Sequence, residues 1–553
     1  MDNSEKFSMN ADLRGKRSKF QMPFKVKTTF NTGELVPLGE PIEVLPGDTI
    51  SINSSFVIRG NTPIADTMDD AFADIFFFFV PSRITWTHWV NMFGQNDTNA
   101  WTQTTEYLVP SNIAAGAIKA GSALNHLGLP IMSSIPAKAF SLLQLRGYAM
   151  IWNDFFRDEN TQSPCLFNKT ETDSWQNTPV SGTNSVLAFG ASNSCFKVCR
   201  YHGYFGSALP APQKGNVSSL LNMEYAPLTS GIADFGTSAD VSSIGDVRFF
   251  DKNKNAVTGS AAFSNGYLGV ETATPTGAQL PYTDLVADLS GSVLSNVSEL
   301  RTAIVIQHVS EALARNGSRY TEFLSGMFGV SDPDSVLQRP EFLGGKHVRI
   351  TSGQVVNTTS ATSSGGQGAL GQVGSFSLTS GSGSIFTHSF REFGYIFPLV
   401  CIRTNQSYCQ GIPKSYQRSS FFDFYQPLLA NISEQPIAQN EIFATSANAA
   451  ISNRLKSVFG YMPAWSELRF KLDNVSGYLA PNADQSIGYW TYCNNFSSAP
   501  TLAGYLPETT SNVDNTIQVT SASAGFQWIA DFLFDMTAVR RMPIDGKPGL
   551  TRI

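Results

Sequence analysis

The run Phe76-Phe-Phe-Phe-Val80, closed by Pro81, constrains the fold more than any other stretch of this chain. An apolar segment this short, ended by a proline, reads as a strand covered on both faces. The next residues add a second demand. Ser82 is a fair N-cap, and Trp86, Trp89, Val90 and Phe93 recur at helical spacing until Gly94, which predicts a short helix with one apolar stripe. A doubly covered strand leading into a tryptophan-rich helix needs much apolar surface against it, supplied by a large core or by neighbouring subunits.

Strand signals dominate elsewhere. Residues 28–80 read as strands and turns, with a turn over Val44-Leu-Pro-Gly-Asp-Thr49 and a broad alternation of Ile50, Ile52, Phe56 and Ile58. Phe526, Trp528, Phe532, Phe534 and Met536 alternate again near the other end. Two further helices are predicted, one over 136–157 opened by Pro136, the other from Leu300 to Ala314 and stopped by Asn316-Gly317. The stretch 216–298 differs in character: eight acidic and three basic residues, many small ones and no sustained period. It reads as a long insertion that carries a function or folds as its own subdomain. Residues 357–384, rich in Ser, Thr and Gly, read as a mobile loop. Strands interrupted by long excursions that hold the helices suggest a mainly β chain, a sandwich such as an eight-stranded antiparallel jelly roll with long loop insertions.

Charge narrows the function. Only 15% of residues are charged, against roughly 25% in ordinary soluble domains, which favours an obligate oligomer that hides surface in permanent contacts, the alternative being a large β-domain with a Ser/Thr/Asn surface. The net charge of −6 argues against a protein that coats nucleic acid with its whole surface. Yet Leu13–Gly33 holds Arg14, Lys16, Arg17, Lys19, Lys25 and Lys27 and no acidic residue. Such an arm is suited to neutralising phosphates, or it is a solvated terminus with no partner.

Chemistry leaves little trace. The segment Gly366-Gln-Gly-Ala-Leu-Gly371 fits a dinucleotide fingerprint in form, but it sits in the Ser/Gly patch with no helix after it. The six histidines are scattered singly, and the six cysteines contain no Cys-x-x-Cys, so buried thiols are expected rather than a zinc site or a disulfide framework. No cofactor, metal or catalytic residue is assigned. No run approaches roughly eighteen apolar residues, and no secretory h-region opens the chain, so neither membrane insertion nor secretion is expected and assembly is placed in cytosol.

Several ordered blocks carry a resemblance. They include Val44-Leu-Pro-Gly-Asp-Thr49, Phe76-Phe-Phe-Phe-Val-Pro-Ser-Arg83, Ala149-Met-Ile-Trp-Asn-Asp-Phe-Phe-Arg-Asp-Glu-Asn160 and Leu337-Gln-Arg-Pro-Glu-Phe-Leu-Gly-Gly345. Phe421-Phe-Asp-Phe-Tyr-Gln-Pro427 and the tail from Arg541 to Leu550 continue the series. Together they resemble the major capsid proteins of the Microviridae, especially the gokushovirus subfamily.

The resemblance implies a viral jelly-roll coat protein that forms a T=1 icosahedral shell around a circular single-stranded DNA genome, in virions assembled in a bacterial cytoplasm. The implied partners are copies of itself, the packaged DNA, a bacterial surface receptor and, as an option left open, a small basic DNA-packaging protein. On this reading 1–27 is a basic arm, with Arg540 and Arg541 joining Arg14 to Lys27 as interior DNA contacts. Residues 28–215 and 299–553 build the jelly roll, and 216–298 is the protrusion near the threefold axes, proposed for host attachment. Phe76–Val80 becomes a core strand, and Trp86, Trp89 and Phe93 become candidates for a subunit boundary. The competing reading is a carbohydrate-binding or adhesin β-sandwich, which explains the aromatics but not the ordered blocks.

Overall fold

The computed structural model describes residues 17–93, 95, 107–112, 117–167, 169, 195–212, 214, 319–330, 333–334, 336–356, 373–430, 432–451 and 456–544; between 225 and 317 it describes only the strands and helix named below and Gly317. Two compact units divide the chain, Met1–Pro212 with Ser318–Ile553, and Gln213–Gly317.

The first unit is built on nine strands: β1 (Ser18–Phe30), β2 (Val36–Pro37), β3 (Ile42–Val44), β4 (Thr49–Gly60), β5 (Ala71–Pro81), β6 (Glu341–Arg349), β7 (Thr379–Ser389), β8 (Gly394–Thr404) and β9 (Trp528–Arg540). One sheet has the order β1-β9-β4-β7, the other β6-β5-β8-β2, with β3 also on β8. All these pairings are antiparallel. With β2 and β3 taken as one interrupted strand, this is the eight-stranded jelly roll expected. Apart from β5 and β6, which pair in one sheet, and the two pieces β2 and β3, consecutive strands are dealt to opposite sheets, so most neighbours within a sheet are distant in sequence.

Period-two alternation builds the core between the sheets. Ile50, Ile52, Phe56 and Ile58 of β4 and Phe532 and Phe534 of β9 are buried, and Phe77 of β5 reaches across to Phe534 and Phe386, both at 5.6 Å between ring centroids. The opposite face of β5 is covered as well. Phe76 and Phe78 meet Phe155 and Phe156, which lie on a π-helical turn, Trp152–Phe156, continuing the helix over Leu143–Ile151. The doubly covered strand read from the sequence is therefore present, and each face has a different owner.

The helices deviate instructively. The predicted helix after Pro81 is two single turns, α1 (Ser82–Thr85) and α2 (Trp89–Met92), because Trp86 adopts an extended backbone, φ −146° and ψ 122°. A four-residue helix gains little from continuing, whereas extending Trp86 seals its ring in the core. Ser82 starts the first turn but Pro81 occupies the cap position. The helix predicted from Pro136 begins later, as α3 (Leu143–Ile151). Lys138 has φ 58°, and the Asn112 carboxamide accepts the amides of Ala139 and Phe140, which fixes 136–142 as a non-helical approach. Gly147 then lets α3 lie on the second sheet, since a Cβ there would stand 2.7 Å from the Phe397 ring.

The later part of the Ser/Gly patch, 373–384, is strand and not loop. Residues 357–372 lie outside the described residues, as does the Gly366–Gly371 motif, but Val373–Ser377 forms a hairpin with Ser352–Val356 and Thr379–Ser389 is β7. Small residues are needed there because Phe56 packs beneath them; a Cβ on Gly381 would meet its ring at 2.6 Å.

In the second unit Ser260–Ser264, Tyr267–Glu271 and Gln279–Pro281 form one small sheet, and Tyr225–Pro227, Phe249–Phe250, Ala256–Val257 and Val286–Asp288 another. Its helix α4 (Val297–Asn316) ends at Gly317, φ 99°. The unit thus reaches past residue 298 to include the helix that the sequence boundaries gave to the jelly roll.

Candidate nucleic-acid and assembly surfaces

The basic residues expected in one arm are found in three settings. Arg14 and Lys16 lie outside the described residues. Lys19, Lys25 and Lys27 are not in an arm, because β1 begins at Ser18 and pairs along its length with β9, from Ser18 opposite Arg540 to Phe30 opposite Trp528. Alternation turns Phe20, Met22, Phe24 and Val26 inward and these three lysines outward. The outer face continues across β9, β4 and β7 with Asp531, Leu533, Asp535, Asn53, Ser55, Arg59, Ser380 and Ser382. Lys25, Ser55, Ser382, Asp531 and Leu533 line a shallow depression on it. Lys19, Lys25, Lys27 and Arg59 against Asp531 and Asp535 leave the face modestly positive and rich in hydroxyls. Lys27 stands directly opposite Asp531, so it is the most compensated of the three lysines.

Arg17 and Arg541 converge elsewhere. The turn Leu45–Asp48 closes through Asp48 N–H donating to the Leu45 carbonyl at 3.0 Å, with Gly47 at φ 87°. Arg17 Nη2 and Arg541 Nε stand 3.6 and 3.9 Å from where a Cβ on Gly47 would be. Two guanidinium groups thus stand beside one turn. Arg540 is different: its Nε is 2.9 Å from the carboxylate of Asp48, itself buried, and its Nη2 donates to the Glu43 carbonyl at 2.7 Å. That guanidinium is engaged by the turn itself, unlike Arg17 and Arg541.

The aromatic corner also separates. Trp86 is fully buried within the chain, so it belongs to the fold and not to a subunit boundary. Trp89 is half-buried and Phe93 is 59% exposed. Phe93 stacks on Phe393 at 5.2 Å with 11° between planes, and Trp89 packs edge-on to Phe93. An Arg83–Glu392 pair, with contacts of 3.0 and 3.2 Å, ties the two chain segments beneath them.

A larger apolar surface escaped the sequence reading. Residues 414–429 form three 3₁₀ turns, Lys414–Gln417, Phe421–Asp423 and Pro427–Leu429, on which Phe421 is 72%, Phe422 70% and Leu428 97% exposed. Local bonds hold them there. Asp423 Oδ2 accepts the amides of Ser419 and Ser420 at 3.0 and 2.8 Å, Arg418 pairs with Glu467 at 3.2 Å, and Trp465 Nε1 donates to the Leu429 carbonyl at 2.9 Å. The segment is therefore shaped without burying its own aromatics. Contiguous exposed aromatics of this kind mark interaction sites. Aromatic density alone reads as core, which is why no sequence signal separated this stretch from β5.

Two buried polar nodes invite comparison with catalytic sites. Asp74 on β5 receives the Tyr201 hydroxyl at 3.0 Å, Arg403 at 2.5 Å and His347 Nδ1 at 2.5 Å. Arg200 and Glu508 meet in the interior amid Gln406, Asn494 and Thr509. Burial raises the Glu508 pKa, with Arg200 opposing. Neither node offers a nucleophile beside a base, and each joins strand to loop. Among the described residues no three His, Cys, Asp or Glu side chains are grouped to hold a metal ion, and no helix is long and apolar enough to cross a membrane.

Known proteins agree with this architecture. A family model described as Capsid protein (F protein) matches residues 10–550. The capsid protein VP1 of Spiroplasma virus 4 is 33% identical over 558 residues, covering 99% of this chain and 98% of that protein. The capsid protein VP1 of Bdellovibrio phage phiMH2K is 31% identical over 555 residues, with 99% and 98% covered. That of Chlamydia phage 1 is 30% identical over 594 residues, with 97% and 96% covered.

Proposed function

Since this chain belongs to the Capsid protein (F protein) family of the Microviridae, structural virion components and not enzymes, we propose that it closes into a T=1 icosahedral shell around circular single-stranded DNA. The observation that carries the reading is the uncovered aromatic surface over Phe421–Leu428. The jelly-roll core is complete without those side chains, so their burial falls to a neighbouring copy, for which a patch of this character is suited. Phe93 with Trp89 is a second, smaller contact of the same type.

The outer face of the β1-β9-β4-β7 sheet turns toward the genome. Its lysines and hydroxyls suit sequence-independent backbone contact, and Arg17 with Arg541 supplies a focused phosphate site. The modest positive charge of this face leaves room for a small basic packaging protein to neutralise the remainder. Residues 213–317, acidic on balance, are a poor partner for DNA and a reasonable one for a bacterial surface component. Assembly takes place in the host cytoplasm.

Electron microscopy and mass measurement of the purified protein test the shell. Closed particles containing nuclease-protected single-stranded DNA are expected; a stable monomer that binds a glycan would favour the adhesin reading instead. Removing residues 220–295 is expected to spare particle formation and abolish host adsorption, and loss of particles would return that unit to the shell.

A further inference from the structure

Cys409 and Cys493 are separated by most of the excursion between β8 and β9, and both are free thiols. The backbone draws them together. Asn494 N–H donates to the Ser407 carbonyl at 3.1 Å, and the Gln410 carboxamide bonds the Phe496 backbone twice, accepting its N–H at 2.8 Å and donating to its carbonyl at 3.0 Å. The chain at 407–410 therefore runs beside 493–496. Both sulfurs converge on one oxygen, the Asn494 carbonyl, with Cys493 Sγ at 3.6 Å and Cys409 Sγ at 3.9 Å, which makes the two thiols neighbours. Asn482 Oδ1 lies 3.6 Å from Cys409 Sγ.

From this geometry we infer that Cys409 and Cys493 are a latent disulfide, closed when the protein leaves a reducing compartment. The two sulfurs differ in the way that thiol–disulfide exchange requires. Cys409 is half-buried, while Cys493 is buried. The neighbouring Cys493 thiol lowers the Cys409 pKa against the opposing effect of burial, while Cys409 and burial together raise that of Cys493. Cys409 is thus the attacking thiolate. It attacks a low-molecular-weight disulfide such as oxidised glutathione, forming a mixed disulfide and expelling one thiolate. Cys493 then loses its proton and attacks the Cys409 sulfur, expelling the second thiol. Two protein thiols are oxidised by two electrons and one external disulfide is reduced to two thiols. The buried Cys165, Cys195 and Cys401 lack this pairing, and burial raises the pKa of each. The bond would staple the segment that leads into the 414–429 aromatic surface to the segment preceding β9.

The test uses the intact purified protein in glutathione buffers of graded redox ratio, followed by acid quench, alkylation under denaturing conditions and intact mass. The chain has six cysteines, so the expected change is from six labels to four, with no glutathione mass retained and a Cys409–Cys493 cross-linked peptide after digestion. Oxidised protein should also melt several degrees higher than reduced protein. In Cys493→Ser the mixed disulfide on Cys409 should persist, trapping the intermediate. Six labels after oxidation, a lasting glutathione adduct on the native chain, or a cross-link that appears only after denaturation would each overturn the inference, and none needs a variant to fold.

Discussion

Arg200 and Glu508 face each other at 4.0 Å with side chains 3% and 0% exposed, in a pocket completed by Gln406 donating to Glu508 at 3.1 Å and by the Tyr505 ring 4.4 Å from the guanidinium carbon. Neither charge has water to fall back on. Arg200→Ala leaves Glu508 buried without its counter-charge and should cost about 3–5 kcal/mol. Arg200→Met combined with Glu508→Gln should recover much of that loss. Urea unfolding with an unchanged m-value checks both, and equal damage from the single and the double variant would mean that packing, not charge, holds the site.

His126 is 8% exposed, its Nδ1 lies 3.1 Å from the Thr28 hydroxyl, and burial lowers its pKa from 6.5 to about 4. The unfolded chain binds this proton first as pH falls, so the neutral ring's contribution is full above about pH 6.5 and is lost progressively toward pH 4. The span corresponds to roughly 3 kcal/mol at most. His126→Asn should remove this part of the acid sensitivity, seen as a variant stability profile flatter than the parent's over that window, so that the difference between the two changes with pH. A parallel pair of curves would assign acid loss to other groups.

Charge reversal of Lys19 and Lys25 should reduce DNA retention in particles and lower the salt slope of single-stranded DNA binding by about 0.7 per lost phosphate contact. Arg540→Ala should leave that slope unchanged and instead weaken the fold, since it frees buried Asp48. Salt slopes and melting curves of the same two proteins separate the roles, and a slope that responds to Arg540 alone would reverse them.

Phe421→Ser with Leu428→Ser should block particle formation while changing protomer stability by no more than about 0.5 kcal/mol. Trp86→Ala should do the opposite and destabilise the protomer by about 3–5 kcal/mol, whereas Phe93→Ala should impair assembly with little effect on folding. Sedimentation together with denaturant melts reads both properties. Normal particles from the Phe421/Leu428 variant would show that this patch is not the shell contact.

The fold was legible where one residue's environment follows from its neighbours in sequence. Alternation in β4 and β9 and the apolar run of β5 announced sandwich strands, and Asn316-Gly317 announced a helix end. Tertiary demands hid the rest. Trp86 breaks a helix that its spacing favours because the core has room for one indole, and β7 looks like a linker because Phe56 leaves space only for glycine and serine. At the surfaces, charge was readable but its use was not. Arg17 and Arg540 have the same chemistry in sequence, and only the turn at Gly47 and the carboxylate of Asp48 tell them apart. Likewise, nothing in the spelling of Phe421-Phe-Asp-Phe separates it from Phe76-Phe-Phe-Phe.

The pairing of β1 with β9 has a consequence for synthesis. Among the described residues β1 has no other neighbour in its sheet, and β9 is the strand that joins it to β4. During translation Ser18–Phe30 therefore waits, edge exposed, until Trp528–Arg540 leaves the ribosome, about five hundred residues later by the numbering of the paired strands. Closure of so distant a contact is slow, and a chain released before it presents no finished sheet. The same register that fixes the core acts as a completeness check, since unfinished subunits lack the surface on which their lysines are displayed.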